Sequence, residues 1–137
     1  MAENPQHLAD TSAWIQALRP GATGSWPAEL KSLITDRRLG IQPVIRVELL
    51  SGARSEAEYR QLADSLDALP QLEMTRTVWE EAERLGFSLR RRGMNIPVTD
   101  LLIAATAIVH KCTLHHRDRH FSLISRHSSL KSGEIPD

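Results

Sequence analysis

Carboxylates at four separated places give this sequence its chemical character. Asp10 lies in Leu8-Ala9-Asp10-Thr11-Ser12, Glu48 in Val47-Glu48-Leu49-Leu50, Asp100 in Thr99-Asp100-Leu101-Leu102 and Asp118 in Arg117-Asp118-Arg119-His120. Carboxylate oxygens suit hard cations, and Mg²⁺ keeps several waters while taking a few carboxylates and the phosphate oxygens of a substrate. Gathered in one pocket, such a set would serve metal-assisted hydrolysis of a phosphodiester, because a bound cation acidifies water and neutralises charge on the reacting phosphorus. Each acid also has a purely structural reading. Asp10 and Asp100 stand where they could cap a helix or oppose its dipole. Glu48 sits among Val44, Ile45, Val47, Leu49 and Leu50, where burying a lone charge is costly, so it calls for a cation, a pairing with Arg46 or Arg54, or an open helix face. Asp118, inside His115 to His120, would also suit a charged surface turn.

The elements that must position these acids follow from periodicity and punctuation. His7 to Ala9 reads as a short strand, Asp10-Thr11-Ser12 as a turn, and Trp14, Ile15 and Leu18 as a helix ending near Pro20-Gly21. Ser25 and Pro27 open a second helix, carried by Leu30, Leu33 and Ile34 and closed at Gly40. Ile41-Gln42 reads as a very short strand, and Pro43 opens a helix holding Glu48. Ser55 with Glu58 forms a capping box ahead of Tyr59, Leu62, Leu66 and Leu69. After a brief strand at Leu72, Thr75 caps a long helix lined by Val78, Ala82, Leu85 and Leu89 and stopping at Gly93. Thr99-Asp100 caps an almost wholly apolar helix through Val109, Thr113-Leu114 is an inner strand, and Leu130 marks a last one. Short strands alternating with helices predict an α/β sandwich around a mostly parallel sheet, whose strand ends bring Asp10 and Asp118 together.

At 137 residues, with 41% apolar and 25% charged side chains, the chain reads as a single domain over residues 1–137. A polar extension over Met1 to Gln6 and a loose tail over residues 131–137 flank its core. Seventeen basic residues balance seventeen acidic ones, so a protein-wide field does not draw in nucleic acid and any RNA contact is local. The single cysteine, Cys112, excludes an internal disulfide and a multi-cysteine zinc site and fits a reducing cytosol as a buried, inert thiol. Without a signal sequence or membrane span, the expected location is the cytoplasm.

Taken in order and spacing, the four acid-bearing segments, including Val47-Glu48-Leu49-Leu50-Ser51-Gly52 and Thr99-Asp100-Leu101-Leu102-Ile103-Ala104-Ala105-Thr106-Ala107, resemble the four motifs of PIN-domain nucleases, in particular VapC toxins of bacterial and archaeal toxin–antitoxin pairs. The likeness runs from Leu8 to Phe121. It implies a PIN-like three-layer sandwich and a Mg²⁺-dependent endoribonuclease, with Mn²⁺ a substitute, leaving a 5′-phosphate and a 3′-hydroxyl. On this likeness Asp10 and Asp100 are ligands of the main metal, Asp118 stands close by, and Glu48 is a ligand or a base acting through water. Thr11 or Ser12 orients water or phosphate. A homodimer and a cognate antitoxin whose C-terminal segment fills the groove by the active site are implied as well. One departure is His116, at a position where the family commonly has a small hydroxyl residue.

Arg117 and Arg119, flanking Asp118, are the leading RNA-binding candidates. Arg90 to Arg92 and Arg37-Arg38 are also candidates, though at helix ends they complement the dipole. His116 and His120, four apart, would need a helix to form a zinc pair, and the segment reads as strand and turn. Trp14, Trp26 and Trp79 recur at helical core positions and read as packing or interface residues. A dehalogenase-like phosphatase would need an acid where Ser12 stands, and a phosphoacceptor receiver would need a different acid set and a late lysine. The alternatives left are an RNA-processing PIN nuclease without an antitoxin and a non-catalytic PIN-like binding module.

Overall fold

The computed structural model describes residues 4–136. Met1 to Glu3 of the expected extension and Asp137 of the expected tail lie outside the described residues. The chain runs β1 (His7–Ala9), α1 (Thr11–Leu18), α2 (Trp26–Thr35), β2 (Leu39–Gly40), α3 (Pro43–Ser51), α4 (Glu56–Asp67), α5 (Arg76–Arg91), α6 (Val98–His110), β3 (Thr113–His116), α7 (Arg119–Arg126) and β4 (Ser132–Glu134). The four strands pair in the order β2-β1-β3-β4, all parallel, with Ala9 beside His115 and His116 beside Glu134. Leu8 and Ala9 point to opposite faces of β1, yet both are fully buried, so helices cover both sides of the sheet. Such a sheet carries its crevice beyond the carboxyl ends of the strands. Asp10 follows β1 directly, and its amide extends the ladder to the His115 carbonyl at 3.1 Å.

Helix α6 is apolar around its circumference, and every residue from Leu101 to Ala107 is buried, which makes it the central helix of the core. Thr106 belongs to that run; its hydroxyl donates to the Leu102 carbonyl and accepts from Gln42 Nε2 at 3.2 Å. Gln42 is fully buried and also N-caps α3, taking the Ile45 amide on its Oε1. A buried amide wants all its partners, so Gln42 ties the start of the Glu48-bearing helix to the core helix that carries Asp100.

Several boundaries differ from the sequence expectation. Gly40 does not end a helix: α2 stops at Thr35, Arg37 takes the left-handed turn at φ 55°, and Gly40 lies in β2. A Cβ there would sit 2.7 Å from Leu72 Cγ, so close packing explains this glycine. The strands expected at Ile41-Gln42 and Leu72 reduce to one bridge between Ile41 and Gln71. Thr99 and Asp100 do not cap α6; they lie in its first turn behind Pro97. Helix α7 replaces the turn expected after Asp118, and the last strand falls at Ser132–Glu134 instead of Leu130. The segment expected as a loose tail from residue 131 therefore completes the sheet, with Ile135 buried behind it.

Trp14 and Trp26 pack in the core as expected, and the Trp26 indole donates to the Ala13 carbonyl at 2.9 Å. Trp79 does not: it is half exposed. Cys112 is buried, and desolvation pushes its thiol up to about 11, as an inert thiol requires. Among the described residues no helix is long and apolar enough to cross a membrane.

Candidate active site

Asp10 is the N-cap of α1 and is also nearly enclosed, at 4% exposure. Its Oδ1 accepts from the Ala13 amide at 2.9 Å and from Ser12 Oγ at 2.6 Å. Both of these bonds fall on the one oxygen. Burial raises the carboxyl from its ordinary 3.8 to about 6, the charge of Asp118 adds to the rise, and hydrogen bonding from the Ser12 side chain and from the Ala13 and Ser12 backbone opposes it. Capping and site roles thus coincide in one side chain, because the cap uses a single oxygen.

Asp118 N-caps α7 through the His120 amide at 2.9 Å. Asp100 is half-buried at the opening of α6, and burial raises its pKa, with the charges of Asp118 and Glu48 adding to the effect. Of the readings left open for Glu48, the structure shows the open helix face: it is exposed on the solvent side of α3. Among the described residues no ion pair joins it to Arg46 or Arg54, and Arg46 pairs with Asp67 at 2.8 Å. What fixes Glu48 is Thr11, whose hydroxyl donates to Oε1 at 2.6 Å and joins α1 to α3. The structure therefore brings the four acids into one neighbourhood, in which Asp118 acts on Asp10 and both Asp118 and Glu48 act on Asp100.

His120 is the site residue that the sequence reading set aside. Its Nδ1 donates to Asp100 Oδ2 at 2.8 Å and lies 3.4 Å from Asp118 Oδ1. Ligand atoms of Asp100, Asp118 and His120 all fall within 4.8 Å of one another, a group that could hold a metal ion. The missed signal was Phe121 and Ile124, three apart and both buried, which with Asp118 as cap marks a helix. His116 has another part. It is buried in β3, its Nδ1 accepts the Asp118 amide at 3.2 Å, and its ring packs on Phe121. It supplies an acceptor behind the acid, the role a hydroxyl at that position could fill, and leaves Nε2 without a partner among the described residues.

Ser12 bridges the two strand ends, donating to Asp10 and accepting the Arg117 amide at 2.9 Å. The Arg117 guanidinium is engaged with the Ile135 carbonyl at 3.0 Å and so braces the chain after β4. Arg119 is exposed at the first position of α7. Arg37 and Arg38 are tied down locally, to the Ala68 carbonyl and to Gln6.

Residues 8–126 match the PIN domain family. Ribonuclease VapC11 of Mycobacterium tuberculosis is 34% identical over 133 residues, covering 93% of this chain and 98% of its own. The chain belongs to the PIN-domain family, among the VapC ribonucleases. Solved VapC-containing complexes share the fold of this PIN domain. VapBC2 from Rickettsia felis, bound to a DNA fragment from its promoter, matches with a TM-score of 0.75 at 21% identity over 95% of this chain and 98% of that one. VapBC-5 from Mycobacterium tuberculosis, a member of the VapBC family of toxin–antitoxin systems, matches with a TM-score of 0.65 at 20% identity over 94% and 98%. The PIN-domain match spans all four acids.

Proposed function

We propose that this PIN-domain chain is a metal-dependent endoribonuclease and the toxin half of a toxin–antitoxin pair. The observation that carries this is the meeting of Asp100, Asp118 and His120 in a group that could hold a metal ion, with Asp10 close enough to feel the charge of Asp118 and Glu48 close enough to act on Asp100, in a chain whose relatives are named ribonucleases. The donors fit Mg²⁺, with Mn²⁺ a substitute, because they are hard carboxylate oxygens. Burial and mutual repulsion disfavour the ionised forms of Asp10 and Asp100, a penalty that a cation reverses. Asp10, Asp100 and Asp118 would be its ligands, and Glu48 a ligand or a base acting through water.

When bound, the cation acidifies a water and neutralises charge on the phosphate under attack. The protein's own groups do the positioning. Ser12 and the Ala13 amide hold Asp10 by one oxygen and leave the other for the site. Thr11 holds Glu48 over the same opening, and His120 fixes the rotamer of Asp100, as an orienting partner of a ligand does. Arg119 is placed to take a substrate phosphate, and the site would hydrolyse RNA to a 5′-phosphate and a 3′-hydroxyl.

The antitoxin follows from the relatives that are toxin–antitoxin complexes and from exposed Ile15 and Leu18 on α1 with Val47 on α3, two helices that pack together beside the acids. The homodimer is part of the same proposal. Purified protein should cleave single-stranded RNA with Mg²⁺ or Mn²⁺ and stop in EDTA; undiminished cleavage in EDTA would sink the metal mechanism. A small open reading frame beside the gene whose product blocks cleavage would identify the antitoxin.

A further inference from the structure

Two clefts are lined by α5, α7 and the segments that follow them. One, of about 500 Å³, adjoins the acid site and is lined by Arg119, His120 and Arg126 with Asn95 and Ile96. The other, of about 710 Å³, is lined by Arg84, Phe87, Arg91, Arg92 and His127. They meet where Arg92 precedes Gly93 and Arg126 precedes His127. Against these arginines stands one carboxylate, Glu81. In a chain whose charges sum to zero, so uneven a track needs a reason. Stability provides only part of one, since Arg91, Arg92 and Arg126 lie at helix C-termini, where the dipole favours a cation. Arg119 sits at the N-terminus of α7 and Arg84 in mid-α5, where the helix dipole opposes or ignores a cation. Among the described residues, no ion pair holds Arg84, Arg91, Arg119 or Arg126.

Phe87 supplies the second observation. It is 68% exposed, and the Arg91 guanidinium lies 5.6 Å from its ring centroid. Cations that follow a groove, with an aromatic face between them, are the combination that binds single-stranded nucleic acid: the cations track phosphates and the ring stacks a base. The hydroxyls of Ser88 and Ser128 on the same walls suit phosphate or ribose.

We infer that this α5–α7 groove is a binding track for the single-stranded RNA flank that leads away from the cleaved bond, with Phe87 as its stacking platform. The inference rests on the nuclease reading for the identity of its ligand, and binding tests it separately from cleavage. In EDTA, on an Asp100→Asn background, a labelled single-stranded RNA of about 20 nucleotides should bind the Arg84→Ala/Arg91→Ala/Arg92→Ala variant at least about tenfold more weakly. The slope of log affinity against log salt should become shallower by about 2, as the loss of three phosphate contacts to a single strand requires. Phe87→Ala should weaken binding about fivefold or more with the slope unchanged. Arg90→Ala, which removes a single charge from the same helix outside the groove lining, should do neither. With Asp100 intact and Mg²⁺ present, the triple variant should cleave a tetranucleotide at the parent rate while KM for the long RNA rises.

Unchanged affinity and slope in the triple variant would overturn the proposal. So would retained RNA binding with loss of a polyglutamate peptide, which would make the groove a protein-docking surface. If the parent cuts no RNA while the triple variant still loses RNA binding, the nuclease reading fails and the groove stands.

Discussion

Asp10 is enclosed by protein yet keeps one oxygen for the site, and that compromise has a measurable signature. Its folded pKa of about 6 exceeds its ordinary value of 3.8, so the folded state holds this proton more tightly and stability falls as pH rises from about 4 to 6. His115 acts in the opposite sense. Burial, with the charges of His7 and His116, lowers it from 6.5 to about 4, so its contribution grows with pH over much the same window. The two slopes oppose each other in the parent protein. Asp10→Asn keeps a competent cap and removes only the falling slope. In urea unfolding without divalent cation, the variant's stability relative to the parent should rise between pH 4 and pH 7 by on the order of 3 kcal/mol. A difference that is flat with pH would mean that Asp10 titrates as an ordinary carboxylate. Asp100→Asn, relieved of Asp118 and Glu48, should unfold at the same temperature or higher while RNA cleavage falls roughly 100-fold or more. Full activity in that variant would remove Asp100 from the site.

At the level of elements, β1 and β3 lie side by side and parallel, so the acids after them meet without a long loop. Gly40 is central to that arrangement, because β2 approaches Leu72 and Pro5 closely. Gly40→Ala should destabilise the fold by about 1–3 kcal/mol through overpacking, read by thermal unfolding, and an unchanged midpoint would show that the bridge beside it yields freely. The helices that carry Glu48 and Asp100 were legible in the sequence because apolar runs and Pro43 are local signals, as were α4 and α5 from their caps Ser55 and Thr75. Helix α7 was not, since the charged run from His115 to His120 masked a cap followed by only a short apolar stripe. The contribution of His120 was hidden with it. For Glu48 the sequence left burial and an open face undecided, because an apolar run on a helix implies burial of one face only, and Glu48 lies on the other. Gln42 carries no local signal at all, since its partner Thr106 is 64 residues away.

Over the whole molecule, balanced charge hides two opposed concentrations, carboxylates at the strand ends and arginines along α5 and α7. The acid cluster is held together by caps, Ser12, Thr11 and His120 against its own repulsion, so the fold bears a cost that a bound cation would offset. The cluster's unity is the central claim, and metal linkage tests it most directly. Binding to the folded state alone at about 100 times Kd stabilises by about 2.7 kcal/mol, enough to raise the unfolding midpoint by several degrees. Unfolding midpoints should therefore rise with Mn²⁺ or Mg²⁺. Asn or Gln at Asp10, Glu48, Asp100 or Asp118 should each shrink the rise, while Asp64→Asn, on the exposed face of α4, should leave it intact. If the four site variants respond to metal just as the parent does, the acids are separate caps and surface charges, and the nuclease site described here does not exist.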